Sequence, residues 1–190
     1  MAPSMSSSAV SGLPIRQPRE RRPWPALGGL KEIFMTVPRS ISRGATSVVS
    51  ASSIVSSLLT VHTRGTGFFD LTAETAKFVH ETRANEGAVT LFVRHTSASL
   101  TIQENADPSV RADLTTALSR LAPDDAGWTH DTEGPDDMPA HVKTMLTSTS
   151  VQIPVLNGKL ALGTWQAIYL IEHRSSPHRR EIVLQFIGAI

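Results

Sequence analysis

Two histidines flank a short acidic segment. Residues 130–141 read HDTEGPDDMPAH, and four carboxylates lie between His130 and His141: Asp131, Glu133, Asp136 and Asp137. Imidazole suits zinc and similar ions, and carboxylates suit harder ones, so the segment is a candidate divalent-metal site. The spacing matches no fixed ligand motif, and an acidic loop before a helix explains it equally well, since acids favour a helix N-terminus.

A second group of polar residues lies in RHTSASLTIQENADPSVR, residues 94–111. His95 and Ser97 lie on a predicted strand, but such a pair is too common to establish a nucleophile and its base. Glu104, Asn105 and Asp107 form the turn before a predicted helix. Asp107 is a good N-cap, and the free N–H groups of that helix end could also bind a phosphate.

A third group is EHRSSPHRR, residues 172–180, which holds Arg174, Arg179 and Arg180 around a predicted turn. The planar guanidinium donates two parallel hydrogen bonds, which suits phosphate. A solvated turn that protects a sheet edge is the simpler interpretation. Taken together, the three groups suggest a metal-assisted or phosphate-handling site.

The elements that must position these groups are strands and amphipathic helices in the order β-α-β-α-α-β-β-β. A strand is expected with Leu59, Val61 and Thr63 inward. A helix is expected from Asp70 or Thr72 to Gly87, and its predicted buried stripe is Leu71, Thr75, Phe78, Val79 and Thr82. Residues 88–102 predict one or two strands, and Asn157–Gly158 predicts a hairpin turn. Runs of strands with antiparallel hairpins indicate an α+β domain.

Two further helices are expected around the acidic segment. The first starts at Pro108 after an Asp107 cap, and its predicted buried residues are Val110, Leu114, Ala117, Leu118 and Leu121. The second includes residues 138–150, with Asp137 as a possible cap. Its predicted inward residues are Val142, Met145 and Leu146.

Composition bounds the class of protein. The chain has 190 residues, 40% of them hydrophobic, which suits one soluble domain with a tail. It contains no cysteine, so disulfides, thiolate nucleophiles and all-cysteine zinc sites are excluded. Residues 1–50 carry seven Lys and Arg against two acids, and the rest eleven against fifteen. A mildly acidic domain argues against nucleic-acid binding, and no apolar run predicts a membrane span.

The N-terminal residues 1–52 differ from the rest in being rich in serine and proline. This composition predicts a disordered extension, and its Arg-rich, acid-poor character also fits an organellar transit peptide. A start assigned too early, with Met35 available, is a further alternative. Residues 53–190 are expected to form one cytoplasmic domain, or a mitochondrial one if the extension targets it.

Three blocks, in this order, resemble the YjbQ-like family: HTSASLTIQENADPSVRADL (95–114), HDTEGPDDMPAHVK (130–143) and LALGTWQAIYLIEHR (160–174). The resemblance covers roughly residues 58–189. It implies a mostly antiparallel, β-sandwich-like core with about three helices, and a homotrimer with sites between subunits. It also implies a secondary thiamine-phosphate synthase activity, in which a pyrimidine diphosphate loses pyrophosphate to the nitrogen of a thiazole phosphate.

The resemblance implies roles for residues of the three blocks. Expected catalytic residues are His95, Ser97, Glu104, Asp107, Glu133 and Glu172. Expected substrate-binding residues are Asn105, Arg174 and Arg179. The expected metal ligands are His130 and His141, for Mg²⁺ in the synthase reaction or for Zn²⁺ bound by histidines.

This chain departs from the family pattern at two positions. Ile171 stands where many members have Cys, and Ala167 where they have Gly, so any chemistry that needs that thiol is absent here. Two alternatives to the synthase stay open. One is a metal-dependent hydrolase with a His and carboxylate site, and the other is a non-enzymatic trimer that binds a metal or ligand.

Overall fold

A computed structural model of the chain describes residues 41–190, and the expectations for residues 1–40 lie outside them. Eight strands and three helices follow one another from Ser53. The strands are β1 Ser53–His62, β2 Gly67–Asp70, β3 Glu86–Val93, β4 Ala98–Glu104, β5 Ser150–Leu156, β6 Lys159–Leu160, β7 Gln166–Glu172 and β8 Arg179–Ala189. The helices are α1 Thr72–Glu81, α2 Pro108–Leu121 and α3 Asp137–Leu146.

The strands form two antiparallel sheets, in the orders β1-β8-β3-β5-β6 and β2-β7-β4. Buried side chains from both sheets, such as Leu91 and Phe186 of the first and Leu100 and Leu170 of the second, belong to one core cluster. This confirms the predicted α+β class with a sandwich-like core. No helix within residues 41–190 is long and apolar enough to cross a membrane.

The face of the five-stranded sheet that points away from the core carries exposed apolar side chains. Strand pairing places Leu58, Val183 and Phe92 in one row across β1, β8 and β3, and Ile54 beside Ile187 in another. Four of these side chains are between 45% and 71% exposed: Ile54, Leu58, Phe92 and Ile187. We call these five residues the outer apolar rows.

The first helix follows the sequence pattern at its start but not at its end. Asp70 accepts a hydrogen bond from the N–H of Thr72, and Thr75, Phe78 and Val79 are buried as expected. The helix stops at Glu81 rather than at Gly87, which lies in β3. A Cβ at Gly87 would come within 2.3 Å of the Ile187 carbonyl oxygen, so close packing against β8 explains this glycine.

The second helix is capped as predicted but is not buried as predicted. Asp107 Oδ1 accepts a hydrogen bond from the N–H of Ser109, with Pro108 in the first turn. Within residues 41–190, none of its residues is buried, and Leu121 is 66% exposed. The hydrophobic spacing identified a helix correctly, but not the surface that covers it.

The third helix inverts the expected pattern. It begins at Asp137, and no side chain caps it, so the predicted capping role of Asp137 is wrong. Its polar residues Asp137 and Lys143 are buried, whereas the apolar Met145 and Leu146 are 78% and 53% exposed. The buried polar groups have partners in other segments, which helical periodicity cannot reveal.

The predicted hairpin turn is present between β5 and β6. Asn157 and Gly158 both have positive φ, 50° and 74°, as a two-residue type I′ turn requires. The same turn is anchored by the carboxylate of Glu86, which accepts from the N–H of Asn157 at 2.8 Å.

Candidate metal site

His130, Asp137 and His141 converge at the N-terminus of α3. One ligand atom from each lies within 4.8 Å of the others. His130 Nε2 is 2.9 Å from Asp137 Oδ2, and His141 Nε2 is 3.7 Å from Asp137 Oδ1. The two imidazole centroids are 5.5 Å apart. A His/Asp group capable of holding a metal ion is therefore part of this fold.

Helical geometry explains why two of the three meet. Asp137 and His141 are four residues apart on α3 and so lie on one face. The Thr96 carbonyl lies 3.0 Å from His141 Nδ1. Because a carbonyl only accepts, the proton of the neutral ring is on Nδ1, and Nε2 keeps its lone pair for an ion.

Arg174 holds the Asp137 carboxylate of the group from its buried side. Its Nη1 donates to Asp137 Oδ1, and its Nη2 donates to the Glu133 carbonyl at 2.7 Å. The side chains of Arg174 and Asp137 are only 8% and 4% exposed. A buried pair of this kind holds the carboxylate in place, because either charge alone would be costly in the interior.

Asp136 completes the support on the opposite side of Arg174. Its Oδ1 is 3.3 Å from Arg174 Nε, and its Oδ2 accepts from the N–H and the hydroxyl of Ser175. Burial by itself would raise the pKa of the Asp136 carboxyl, but the two Ser175 hydrogen bonds and the Arg174 charge bring the net pKa below its usual value.

The group offers an ion an open side. The His130 side chain is 54% exposed and that of His141 32%. In a tetrahedral zinc site, ligand atoms lie roughly 3.3 Å apart, so small side-chain movements would close the three onto one ion. An open groove of about 560 Å³ runs along His95, Thr96 and Ser97, next to the carbonyl that holds His141.

A second polar network lies inside the domain, around Glu172. This fully buried carboxylate accepts two hydrogen bonds from Arg180, at 2.6 and 2.7 Å, and one from Thr63 at 2.8 Å. Burial would raise the pKa of Glu172, but the Arg180 hydrogen bonds and the Arg174 backbone N–H lower it overall. In this chain Glu172 has no open side toward a ligand.

The histidine next to Glu172 is paired with a serine. His173 Nε2 lies 2.9 Å from Ser99 Oγ, and both residues are buried. Desolvation, with the nearby Lys143 charge, lowers the pKa of His173 to about 4. This imidazole is therefore neutral at physiological pH.

His95 and Ser97 are occupied by separate partners. His95 Nε2 accepts from the backbone N–H of Glu181 at 2.9 Å, and burial and the Arg180 charge lower its pKa. Ser97 Oγ accepts from Arg180 Nη2 at 3.1 Å. The two residues do not form a nucleophile–base pair in this structure, although both line the groove beside His141.

Glu104, Asn105 and Asp107 lie away from the histidines within one chain. Strand pairing puts Glu104 opposite Gln166, at the far end of β4 from Ala98, which pairs with Glu172. Six residues of strand span about 20 Å. One chain alone does not bring these three residues to the metal group.

The three arginines also separate. Arg180 is buried against Glu172, Arg174 is buried against Asp137, and Arg179 is exposed and pairs with Glu181 at 2.6 Å. The guanidinium groups of Arg174 and Arg180 are occupied by protein carboxylates. Neither faces the solvent as a phosphate-binding arginine would.

Sequence reasoning overlooked three residues that the fold makes important. Asp137 was counted among the carboxylates of the acidic segment but was expected as a cap rather than a ligand, His173 was noted only beside the arginines, and Lys143 was not singled out. The signal for Asp137 was its i,i+4 spacing to His141, which is a common ligand spacing on helices. The burial of Lys143 and His173 depends on long-range packing and has no local signal.

Comparison with known proteins agrees with this architecture. The family described as "UPF0047 protein YjbQ-like" matches residues 57–189. The chain belongs to this family. A UPF0047 protein of Synechocystis is 46% identical over 134 residues, which cover 70% of this chain and 91% of that protein. The UPF0047 protein YjbQ of Escherichia coli O157:H7 is 41% identical over 131 residues, 68% and 95% of the two chains.

Solved structures of the family share the fold. An uncharacterized YjbQ/UPF0047 protein of Clostridium acetobutylicum is 36% identical, with a TM-score of 0.62 over 70% of this chain and 98% of that one. A YbjQ-like protein of unknown function from Sulfolobus solfataricus has a TM-score of 0.65 at 21% identity, which shows the fold alone. Its alignment covers 72% of this chain and 100% of that one.

Proposed function

We propose that the chain is a metal-dependent transferase resembling thiamine-phosphate synthase, with a secondary rather than a high activity. In the reaction, the thiazole nitrogen forms a bond to the exocyclic methylene carbon of the pyrimidine, and the bond from that carbon to the pyrophosphate oxygen breaks. The proposal rests on the family resemblance together with one structural observation, which is the convergence of His130, Asp137 and His141.

The occupied arginines support a metal in this reaction. Departure of pyrophosphate needs a cationic partner, supplied by arginine or by a divalent ion. Arg174 and Arg180 already pair with Asp137 and Glu172. A divalent ion at the histidine group would supply that positive charge, and positioning of the two substrates would supply the rest.

The donor set favours a transition metal over Mg²⁺. Two imidazoles and one carboxylate suit Zn²⁺ or a related ion, whereas Mg²⁺ prefers oxygen ligands and retained waters. In this proposal Arg174 is a positioning residue that holds the Asp137 carboxylate. The Thr96 carbonyl orients His141 in the same way.

We also propose that the protein works as a cytoplasmic homotrimer. The outer apolar rows defined above expose large side chains on a sheet that no element of residues 41–190 covers, and such surfaces mark interaction sites. In a trimer, Glu104, Asn105 and Asp107 of one subunit could reach the histidines of another. These three residues lie far from the histidines in one chain, so their expected roles require a site between subunits.

A metal-dependent hydrolase is the second candidate. The observation in its favour is the exposure of His130, because an ion held on one side by protein can carry a reactive water on the other. The hydrolase and the synthase differ in what takes the place of pyrophosphate, which is water in the first and the thiazole nitrogen in the second.

One assay distinguishes the two. The full-length protein is stripped with a chelator and reloaded with Zn²⁺, Mn²⁺ or Mg²⁺, and then given the pyrimidine diphosphate with and without the thiazole phosphate. The synthase predicts thiamine phosphate only with metal and both substrates, falling more than about tenfold in His141→Ala but not in the exposed His80→Ala. Pyrophosphate release independent of the thiazole would favour the hydrolase, and turnover by the stripped protein would contradict both.

A further inference from the structure

A second cavity lies on another side of α3 from the metal group. It has a volume of about 280 Å³ and is lined by side chains of α2 and α3, by the loops that follow β1, α2 and β7, and by Asp136 just before α3. Lys143 and His173 form its buried part, and Asp124, Asp125 and Ser119 lie nearer solvent. Lys143 is two residues from His141, about 200° around the helix, so the two side chains point to different sides.

Lys143 is the unusual member of this cavity. It is only 6% exposed, although lysine is almost never fully buried without a partner. Its nearest carboxylate oxygen, Asp124 Oδ1, is 3.9 Å from Nζ, which is too long for a hydrogen bond. Within residues 41–190, no acceptor forms a hydrogen bond with this ammonium, and its contact with Asp124 is a long ion pair at the edge of the cavity.

The rest of the lining restricts what could occupy it. The imidazole of His173 is neutral, so Lys143 supplies the only positive charge among the lining residues. Asp124 and Asp125 add negative charge at the mouth, whereas the third lining carboxylate, Asp136, is already paired with Arg174 and Ser175. Beside Lys143 and His173 a narrow slot of about 10 Å³, lined partly by Phe68, Leu118 and Ile171, has room for roughly one methyl-sized group.

We propose that this cavity binds a small amino-carboxylate. The ligand's carboxylate accepts hydrogen bonds from Lys143 Nζ, and its ammonium faces Asp124 and Asp125 at the mouth. A short apolar group enters the slot. A multiply charged anion such as inorganic phosphate is disfavoured, because the two mouth carboxylates repel its excess charge. Binding here does not require the proposed transferase activity, although Asp136 and Ser175 of the lining also support Arg174.

Titration calorimetry of the full-length protein with four probes tests the assignment. L-Alanine carries both charges and a methyl group, propionate lacks the ammonium, ethylamine lacks the carboxylate, and inorganic phosphate is the multiply charged anion. The proposal predicts that alanine binds most tightly, and that phosphate binds least. Equal or tighter binding of phosphate, or no binding of alanine at millimolar concentration, would overturn it.

Variants locate the binding. Lys143→Met should weaken alanine at least about tenfold, the loss expected for one charge-assisted hydrogen bond. The exposed Lys159→Met is the matched control and should bind as the parent does. Ser119→Phe fills the cavity from the exposed face of α2 and leaves Lys143 intact, so it tests the site even if Lys143→Met does not fold. Parent-like alanine binding in Ser119→Phe would contradict the proposal.

Discussion

The guanidinium of Arg174 lies against the carboxylate of Asp137, and Asp137 in turn contacts both His130 and His141. Both charges of the Arg174–Asp137 pair are buried, while the imidazoles are partly exposed. The buried pair therefore holds in place the carboxylate of the candidate metal group, whose two imidazoles lie at the surface. This relationship accounts for the polar inward face of α3, and the following predictions depend on it and on the networks beside it.

Arg174→Met should destabilise the fold by about 3–5 kcal/mol, because it leaves Asp137 buried without its partner. Urea unfolding of the metal-free protein measures this loss. The control is Arg179→Met, whose solvent-screened pair with Glu181 should contribute little to stability. Equal losses of unfolding free energy in the two variants would show that the buried pair stabilises the fold no more than the exposed one.

Glu172→Gln should cost a similar amount, about 3–5 kcal/mol, because Arg180 then loses its buried counter-charge. The double variant Glu172→Leu/Arg180→Met should recover part of this loss, since it leaves no unpaired charge. Urea unfolding of the parent, Glu172→Leu, Arg180→Met and the double variant forms a double-mutant cycle, which gives the coupling energy between the two residues. Additive losses would contradict the ion pair described here.

Stability should fall in mild acid because of His173. Its folded pKa is about 4 against an unfolded value of 6.5, so between these values only the unfolded chain binds the proton. The contribution of His173 to the free energy of unfolding is fully present above pH 6.5. It decreases as the pH falls, at about 1.4 kcal/mol per pH unit and by about 3 kcal/mol in total. Glu172, whose folded pKa is lowered, adds a further loss below its unfolded pKa of 4.5.

Unfolding of His173→Gln across the same pH range measures the contribution of His173 to the pH dependence of stability. This variant should lose about 3 kcal/mol less than the parent between pH 6.5 and 4, since glutamine does not titrate. His80→Gln, at an exposed helix end, should keep the parental slope. An unchanged slope in His173→Gln would show that His173 titrates normally in the folded state.

Phe92→Lys should disrupt the proposed trimer. The side chain is 46% exposed and pairs across the sheet with Val183, the middle residue of its row. A lysine there would be buried without a partner in an assembled interface. Sedimentation equilibrium should show a shift toward monomer, whereas Trp165→Lys, at an exposed position outside the rows, should not change the mass.

Much of the fold followed from local patterns in the sequence. The Asp107 cap, the Asn157–Gly158 turn and the apolar stripe of α1 each have a short-range physical cause, and each was predicted. The end of α1 was not, because Gly87 is required by its approach to β8 rather than by a helix terminus. The buried side of α3 was inverted for the same kind of reason, since Arg174 is 37 residues away from Asp137.

The candidate site was predicted in part. The acidic segment with its two histidines was identified as a possible metal site, and His130 and His141 do lie together. The third member, Asp137, was one of four candidate carboxylates and was expected as a possible cap, because its contact with His130 depends on the loop between them. The expected roles of Glu104, Asn105 and Asp107 depend on an assembly that one chain does not contain, and they stay predictions.

Calorimetric titration of the chelator-treated protein with Zn²⁺ tests the central claim most directly, because it needs no assumption about the substrate. We expect one ion per chain, bound at least about tenfold more weakly by Asp137→Asn and by His141→Ala. His178→Ala, at a half-buried position outside the group, should bind as the parent does. No zinc binding by the parent, or parental affinity in both Asp137→Asn and His141→Ala, would contradict a metal site formed by His130, Asp137 and His141.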